Sequence, residues 1–172
     1  RSATKSRRHE GTTVGHEDTG HQGAKITETV SYEDGRDMKP IEPGARGEAS
    51  RRVTPDQTAE AFGSGLVAVF ATPAMVGLME QAAVNALAPV LEPDETSVGT
   101  RIEVSHLAAT PPGDLVRAEA VLTAVDGRRL SFTIAAWDST EKIGEGRHER
   151  FVVSRSRFLE RLAKKQAEGG SR

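Results

Sequence analysis

The chain contains no cysteine. Disulfides, thiolate metal sites and a cysteine nucleophile are therefore excluded. It has no apolar run of transmembrane length, and no apolar signal-peptide region stands at its start. Neither sign of charge dominates. The formal net charge is −2 over 172 residues, so nothing pulls the whole chain toward nucleic acid or a membrane surface. Large apolar side chains are scarce over residues 1–60 and frequent over 62–153. These features lead us to expect a soluble, cytoplasmic protein with one domain, whose second half is long enough for a real core.

Residues 1–40 mix both charges with many Gly, Ser and Thr and show no sustained period. Such a segment buries too little apolar surface to offset its ordering entropy. We therefore expect a disordered N-terminal extension over 1–40, one domain over 41–165 and a disordered tail over 166–172. Met38 opens a stretch that reads as a natural beginning, and residues 1–37 are expected to be an extension or a misannotated leader. His9, His16 and His21 fit no compact ligand spacing, so no metal is expected.

The patterning of the remainder is informative. Ala45–Val53 reads as a weak polar strand, and Asp56–Phe70 as a connector interrupted by Gly63 and Gly65. Pro73–Ala88 is apolar nearly all round, which predicts a helix buried on most sides. Pro73 suits the first helical position, Thr72 the N-cap, and Pro89 marks the end. A period of two follows. Ile102, Val104 and His106 share one face of a strand over Arg101–Leu107. Val116, Ala118, Ala120, Leu122 and Ala124 share one face over Leu115–Val125, and Leu130, Phe132, Ile134 and Ala136 over Arg129–Asp138. Arg147–Val153 is a fourth strand, and Arg155–Lys165 an amphipathic helix carrying Phe158, Leu159 and Leu162 on one side. Agreement of the apolar faces across Asp126-Gly127 calls for a three-residue loop with a left-handed Gly127 in a bulge. One buried helix followed by an antiparallel sheet with one apolar face gives an α+β fold, the sheet wrapped around the helix.

Three residues stand out against this frame. Glu80 is a carboxylate inside the apolar helix, expensive to bury unless paired, hydrogen-bonded or protonated. His106 points toward the helix by strand parity, and Thr72 stands at the helix start. A hydroxyl, a carboxylate and an imidazole are the parts of an acyl-transfer or hydrolysis site. Each also has a plainer reading: Thr72 as a cap, Glu80 as one half of a structural ion pair, His106 as a satisfied core histidine.

The stretches VFATPAMVGLMEQAAVNALAPVLEPDETSVGTRIEVSHLAATPPGD and VDGRRLSFTIAAWDSTEKIGEGRHERFVV resemble the hotdog-fold thioesterases, and within them the fluoroacetyl-CoA thioesterase group, over about residues 44–160. The resemblance implies a catalytic set of Thr72, Glu80 and His106. It places Gly99 near the thioester carbonyl and Arg150, in the sequence HER, in the active-site surroundings. It also implies a homodimer with sites at the subunit interface, an acyl-CoA substrate and no cofactor apart from the coenzyme A of that substrate. One departure is visible. The fluoroacetyl-specific enzyme has phenylalanines where AFGSGLVAVFAT has Gly63 and Leu66, so fluoroacetyl-CoA itself is not carried over. Leu66 and Phe70 are the expected substrate-binding residues of this segment. His148 shares the strand face of Arg150 and is given no chemistry, and Arg128 and Arg129 are expected to form a solvated hairpin, with a contact to coenzyme A phosphates as the alternative. The reading that follows is an acyl-CoA thioesterase with the acyl group open. The alternative is a non-catalytic acyl-CoA-binding hotdog module, which would not need all three catalytic residues together.

Overall fold

The structure is a computed structural model that describes residues 39–169. The expected extension lies outside these residues, except for Lys39 and Pro40. Five strands form one antiparallel sheet in the order β1-β3-β4-β5-β2. They are β1 (Arg46–Arg52), β2 (Glu95–His106), β3 (Leu115–Asp126), β4 (Arg129–Trp137) and β5 (Lys142–Ser154). Three α-helices, α1 (Ala59–Phe62), α2 (Thr72–Leu87) and α3 (Arg155–Gly169), and a short 3-10 helix over Pro55–Gln57 accompany them. The sheet curls around α2, which packs on β1, β3 and β4. No helix among the described residues is long and apolar enough to cross a membrane.

α2 is rich in Ala, Leu and Met, residues that lose little freedom in a helix. Its register differs from the expected one by one residue. Ala71 is the N-cap, so Thr72 takes the first helical position and Pro73 the second, and no side chain caps the helix. The Thr72 hydroxyl is therefore not used as a cap. The expectation of burial on most sides is also corrected. Met75, Leu78, Met79, Ala82, Ala83, Ala86 and Leu87 are buried, whereas Pro73, Gly77, Gln81, Val84 and Ala88 form an exposed stripe. Glu80 sits at the boundary of the two faces, with 42% of its side chain exposed. It is not a carboxylate sunk in the core.

The buried side of α2 meets the inward residues of the sheet. Val116, Ala118, Ala120 and Leu122 of β3 and Leu130, Phe132, Ile134 and Ala136 of β4 are all at most 3% exposed. Full burial of a Leu, Phe or Met contributes about 1.5–3 kcal/mol, so this layer is the main source of stability.

The β3–β4 hairpin resolves its register in an unexpected place. Gly127 has the positive φ expected of it, +55°. The loop, however, has two residues, with Asp126 opposite Arg129 and Val125 opposite Leu130. The bulge lies inside β3 at Thr123, beyond which Leu122 faces Phe132. The Thr123 hydroxyl donates to the Ser131 carbonyl at 3.0 Å, so the kink occurs where a side chain can satisfy the backbone it frees. Sequence parity shows that one extra residue is needed but does not say where it is inserted.

β2 and β5 are both longer than their expected cores. Gly144 and Gly146 precede the expected start of the fourth strand at Arg147, yet both lie within β5. A Cβ on Gly146 would stand 2.1 Å from the Glu103 carbonyl oxygen, and one on Gly144 2.5 Å from the Met75 sulfur. These glycines permit close approach rather than ending the strand. α3 runs past Lys165 to Gly169 and has no buried residue. Its start is held by Asp94, whose carboxylate accepts from the Ser154 hydroxyl and from the N–H and hydroxyl of Ser156.

Candidate active site

The start of α2 is brought to the end of β2 by backbone bonds. Phe70 N–H donates to the Thr110 carbonyl at 2.8 Å, Ala71 N–H to Gln57 at 2.9 Å, and Leu107 N–H to Ile143 at 2.8 Å. The buried Thr110 in turn donates its hydroxyl to Asp138 at 3.0 Å. Burial works to raise the Asp138 pKa, but the N–H groups of Glu141 and Thr140 and the hydroxyls of Thr110 and Thr140 outweigh it and hold the carboxyl below its ordinary value. An ionised Asp138 thus anchors the segment after His106.

This scaffold places the Thr72 hydroxyl 2.8 Å from His106 Nδ1. In one tautomer the hydroxyl donates to Nδ1, and in the other Nδ1–H donates to the hydroxyl. Burial pushes the imidazole below its ordinary pKa, against the opposing effect of the Ala108 carbonyl. His106 is then mainly neutral at pH 7 and able to accept a proton. Its Nε2 is buried with no hydrogen-bond partner among the described residues.

Two turns further along α2, Glu80 meets a second group. Its Oε1 is 3.7 Å from His148 Nε2 and 3.9 Å from Arg150 Nη1. Arg150 is 5% exposed and His148 1%. The guanidinium donates from Nε to the Ser97 hydroxyl and from Nη2 to the Ser97 carbonyl, both at 2.8 Å. Burial lowers its pKa while Glu80 raises it, and an arginine remains cationic throughout. Gly99 lies opposite Arg150 in the β2–β5 ladder, next to a register shift at Thr100. A Cβ on Gly99 would stand 2.6 Å from Glu80 Oε1 and 3.1 Å from His148 Cε1. The missing side chain is the space the carboxylate uses.

The expected residues therefore fall into two groups on one helix: Thr72 with His106, and Glu80 with Gly99 and Arg150. The carboxylate faces His148 and Arg150 rather than His106. Leu66 is 97% exposed, and Phe70 is 1% exposed within the core, so the ring of Phe70 serves packing. Gly63 has a φ of +66° and closes α1 as its C-cap, which is why a glycine stands there. Arg128 is no solvated hairpin residue. It lies 3.7 Å from Glu95 with both side chains largely buried, whereas the half-exposed Arg129 pairs with Glu149 at 3.0 Å. His148 is the residue that sequence reasoning passed over. Its only signal was sharing an inward face with Arg150, two positions on. A surface hollow of about 710 Å³ is lined by outward side chains such as Glu103, Trp137 and Arg147 and takes in none of these residues.

Comparison with known proteins agrees with the geometry. Residues 53–156 match the fluoroacetyl-CoA-specific thioesterase family, FlK. The fluoroacetyl-CoA thioesterase of Streptantibioticus cattleyicolor is 52% identical over 101 residues, covering 59% of this chain and 73% of that protein. A solved structure of the fluoroacetyl-CoA thioesterase FlK superposes with a TM-score of 0.68 at 42% identity, over 73% of this chain and 98% of the other. A hypothetical protein of Thermus thermophilus, described as a thioesterase superfamily member, gives 0.68 at 31% identity over 77% and 99%. A hot-dog-like protein from Thermanaerovibrio acidaminovorans gives 0.66 at 28% over 73% and 93%. With the helix enclosed by its sheet and this extent of match, the chain is a hotdog-fold protein and belongs to the fluoroacetyl-CoA-specific thioesterase family.

Proposed function

We propose that this protein hydrolyses the thioester of an acyl-coenzyme A, giving a carboxylic acid and free coenzyme A, in a homodimer whose sites each draw on both subunits. The observation that carries the reading is the 2.8 Å contact of Thr72 with His106 at the open start of α2, on the same helix as a carboxylate held beside Arg150. Thr72 and Glu80 are eight residues apart, about 12 Å along the axis at about 1.5 Å per residue. That is too far for both to act on one carbonyl from within one subunit. A two-fold axis beside α2 would carry Glu80 of one subunit to Thr72 and His106 of the other. The exposed stripe of Pro73, Gly77, Val84 and Ala88 supports such a contact. The unpartnered His106 Nε2 supports a further group arriving there, since a buried polar atom without a partner is costly.

The chemistry follows from the residue types. Developing charge on the thioester oxygen needs donors. The N–H groups of Thr72 and Ala74 are in the first turn of α2, where no intrahelical partner exists, and Pro73 contributes none. The backbone at Gly99 is a second source. Glu80 takes a proton from the attacking water, or itself attacks to form an anhydride that water then opens. Either way the C–S bond breaks and Glu80 is regenerated. His106, neutral at rest, takes up the proton of the attacking water, handed on by Glu80 in the first route or released as water opens the anhydride in the second. It passes that proton to the departing thiolate, while Thr72 positions the imidazole and the carbonyl. Label on Glu80 after a single turnover in 18O-water would identify the anhydride route, because direct hydrolysis never labels the enzyme.

With Gly63 and Leu66 in place of phenylalanines, the acyl group is to be read from a broad panel of esters. The direct test is thiol release from acetyl-, fluoroacetyl-, medium-chain and aromatic acyl-CoAs. We expect release that disappears in Glu80→Ala. Tight binding of the esters with no release would instead identify an acyl-CoA-binding module.

A further inference from the structure

His148 is buried at the centre of the Glu80 group, and its bonds determine its state. The β2 bulge at Thr100 frees two backbone acceptors. The Thr100 hydroxyl donates to the Glu149 carbonyl at 3.2 Å, and the Arg101 carbonyl lies 2.8 Å from His148 Nδ1. A carbonyl only accepts, so Nδ1 carries a proton. On the other side of the ring, Nε2 is 3.0 Å from Arg150 Nη1. A guanidinium only donates, so Nε2 carries none. The tautomer is thereby fixed as neutral Nδ1–H.

We infer that His148 is a positioning residue for the hydrolysis, its Nε2 lone pair clamping Arg150 Nη1 so that the guanidinium faces Glu80 beside Gly99. This rests on the reading of Glu80 and Arg150 as site residues. With Ser97 taking Nε and Nη2, His148 supplies the third fixed point of the fork. Without it, Nη1 would have only Glu80 to turn to, at 3.9 Å, and would draw the carboxylate from its place. The groups facing the ring are Glu80 from α2, the Arg101 carbonyl from β2, Arg150 and Glu149 from β5, and the Phe132 ring from β4 at 6.4 Å between centroids. Burial is the largest influence on the imidazole and lowers its pKa. The Arg101 carbonyl works the other way, and Arg150 lowers it further. The clamp is thus intact at neutral pH. Protonation at low pH would set an imidazolium against Arg150 and turn Nε2–H toward Glu80.

The test uses the full chain with acetyl-CoA as probe, comparing wild type, His148→Phe and His148→Gln, together with 15N NMR of the wild-type histidines. His148→Phe keeps ring packing but has no acceptor. We expect its kcat to fall about 30-fold, in line with the cost of small misplacements, with KM within about threefold. His148→Gln restores an acceptor that cannot titrate, and should recover kcat to within about fivefold and lose part of the acid fall-off in the pH profile. The NMR should report neutral His148 with the proton on Nδ1 at pH 7.5. Full kcat in a folded His148→Phe, or equal losses in both variants, overturns the clamp. So does a protonated Nε2, whatever the turnover. If the wild type hydrolyses no ester, the reading of the site fails, and the NMR alone decides the clamp.

Discussion

Two groups on α2, two turns apart, are built by opposite means. Thr72 and His106 lie at element ends and are brought together by main-chain bonds from Phe70, Ala71 and Leu107. The Thr72 hydroxyl and His106 Nδ1 share a hydrogen bond, and His106 Nε2 is buried with no hydrogen-bond partner among the described residues. Glu80 lies in mid-helix, and the strands opposite supply what surrounds it. A missing side chain at Gly99, a bulge at Thr100 and the buried pair His148 and Arg150 shape a half-open seat for the carboxylate. The first group can move a proton and lacks a neighbouring charge. The second holds a carboxylate beside a buried guanidinium. Under the proposed two-fold pairing each group would complete the other, which would account for their separation along one helix.

The largest expected effects come from emptying either half. Glu80→Ala and His106→Ala should each lower kcat by about 10²–10⁴-fold, the usual range for a lost acid–base group. Because Glu80 is part-exposed and His106 lies at a strand end, melting temperatures should hold within about 4 °C, equivalent to less than about 1 kcal/mol. Steady-state kinetics beside thermal melts would check this, and unchanged turnover in either variant contradicts the assignment.

The seat itself can be tested at Gly99. Gly99→Ala places a methyl 2.6 Å from the carboxylate oxygen, so Glu80 must shift. We expect a loss of kcat of about 10–100-fold, as for small displacements near the reacting atoms. An alanine variant of wild-type activity would mean that the carboxylate does not use this space.

Thr72→Ala sharpens the contrast at the helix start. Loss of an N-cap costs about 1 kcal/mol, but Thr72 caps nothing here. Urea unfolding should therefore move by less than about 0.5 kcal/mol, while turnover falls about tenfold through a less well positioned His106. A stability loss of a full cap would restore the capping role.

The mildest perturbation is pH. His106 and His148 both have pKa values lowered by burial. Below about pH 6.5 the unfolded chain therefore binds more protons than the folded one, and stability falls with pH. The full contribution is present above 6.5 and is lost as pH drops through the folded values. Urea midpoints from pH 8 to 5 should show this decline, and His148→Gln should reduce it.

Much of this was legible in the sequence, and the misses have physical causes. Period-two patterning found the inward faces of β3 and β4 because burial is nearly complete there. It could not place the bulge at Thr123, since parity counts residues and does not locate the insertion. Composition made α2 look buried on most sides. Its stripe of Pro73, Gly77, Val84 and Ala88 is apolar yet exposed in the single chain, a feature composition cannot distinguish from core. Gly144 and Gly146 fell outside the expected strand because close approach of another strand or of Met75 is a tertiary fact. Thr72, Glu80 and His106 were singled out by residue type and by resemblance. Their division into two groups was not, because it depends on where the helix axis runs.

The central claim is that the two groups act on one thioester across a two-fold axis, and mixed subunits test it most directly. His106→Ala and Glu80→Ala chains would be co-unfolded and refolded together, and thiol release from acetyl-CoA measured against each variant alone. Random pairing into symmetric dimers predicts recovery to about one quarter of wild-type turnover, from heterodimers that hold one intact site. Activity no higher than that of the separate variants, with heterodimers demonstrably formed, would contradict the account.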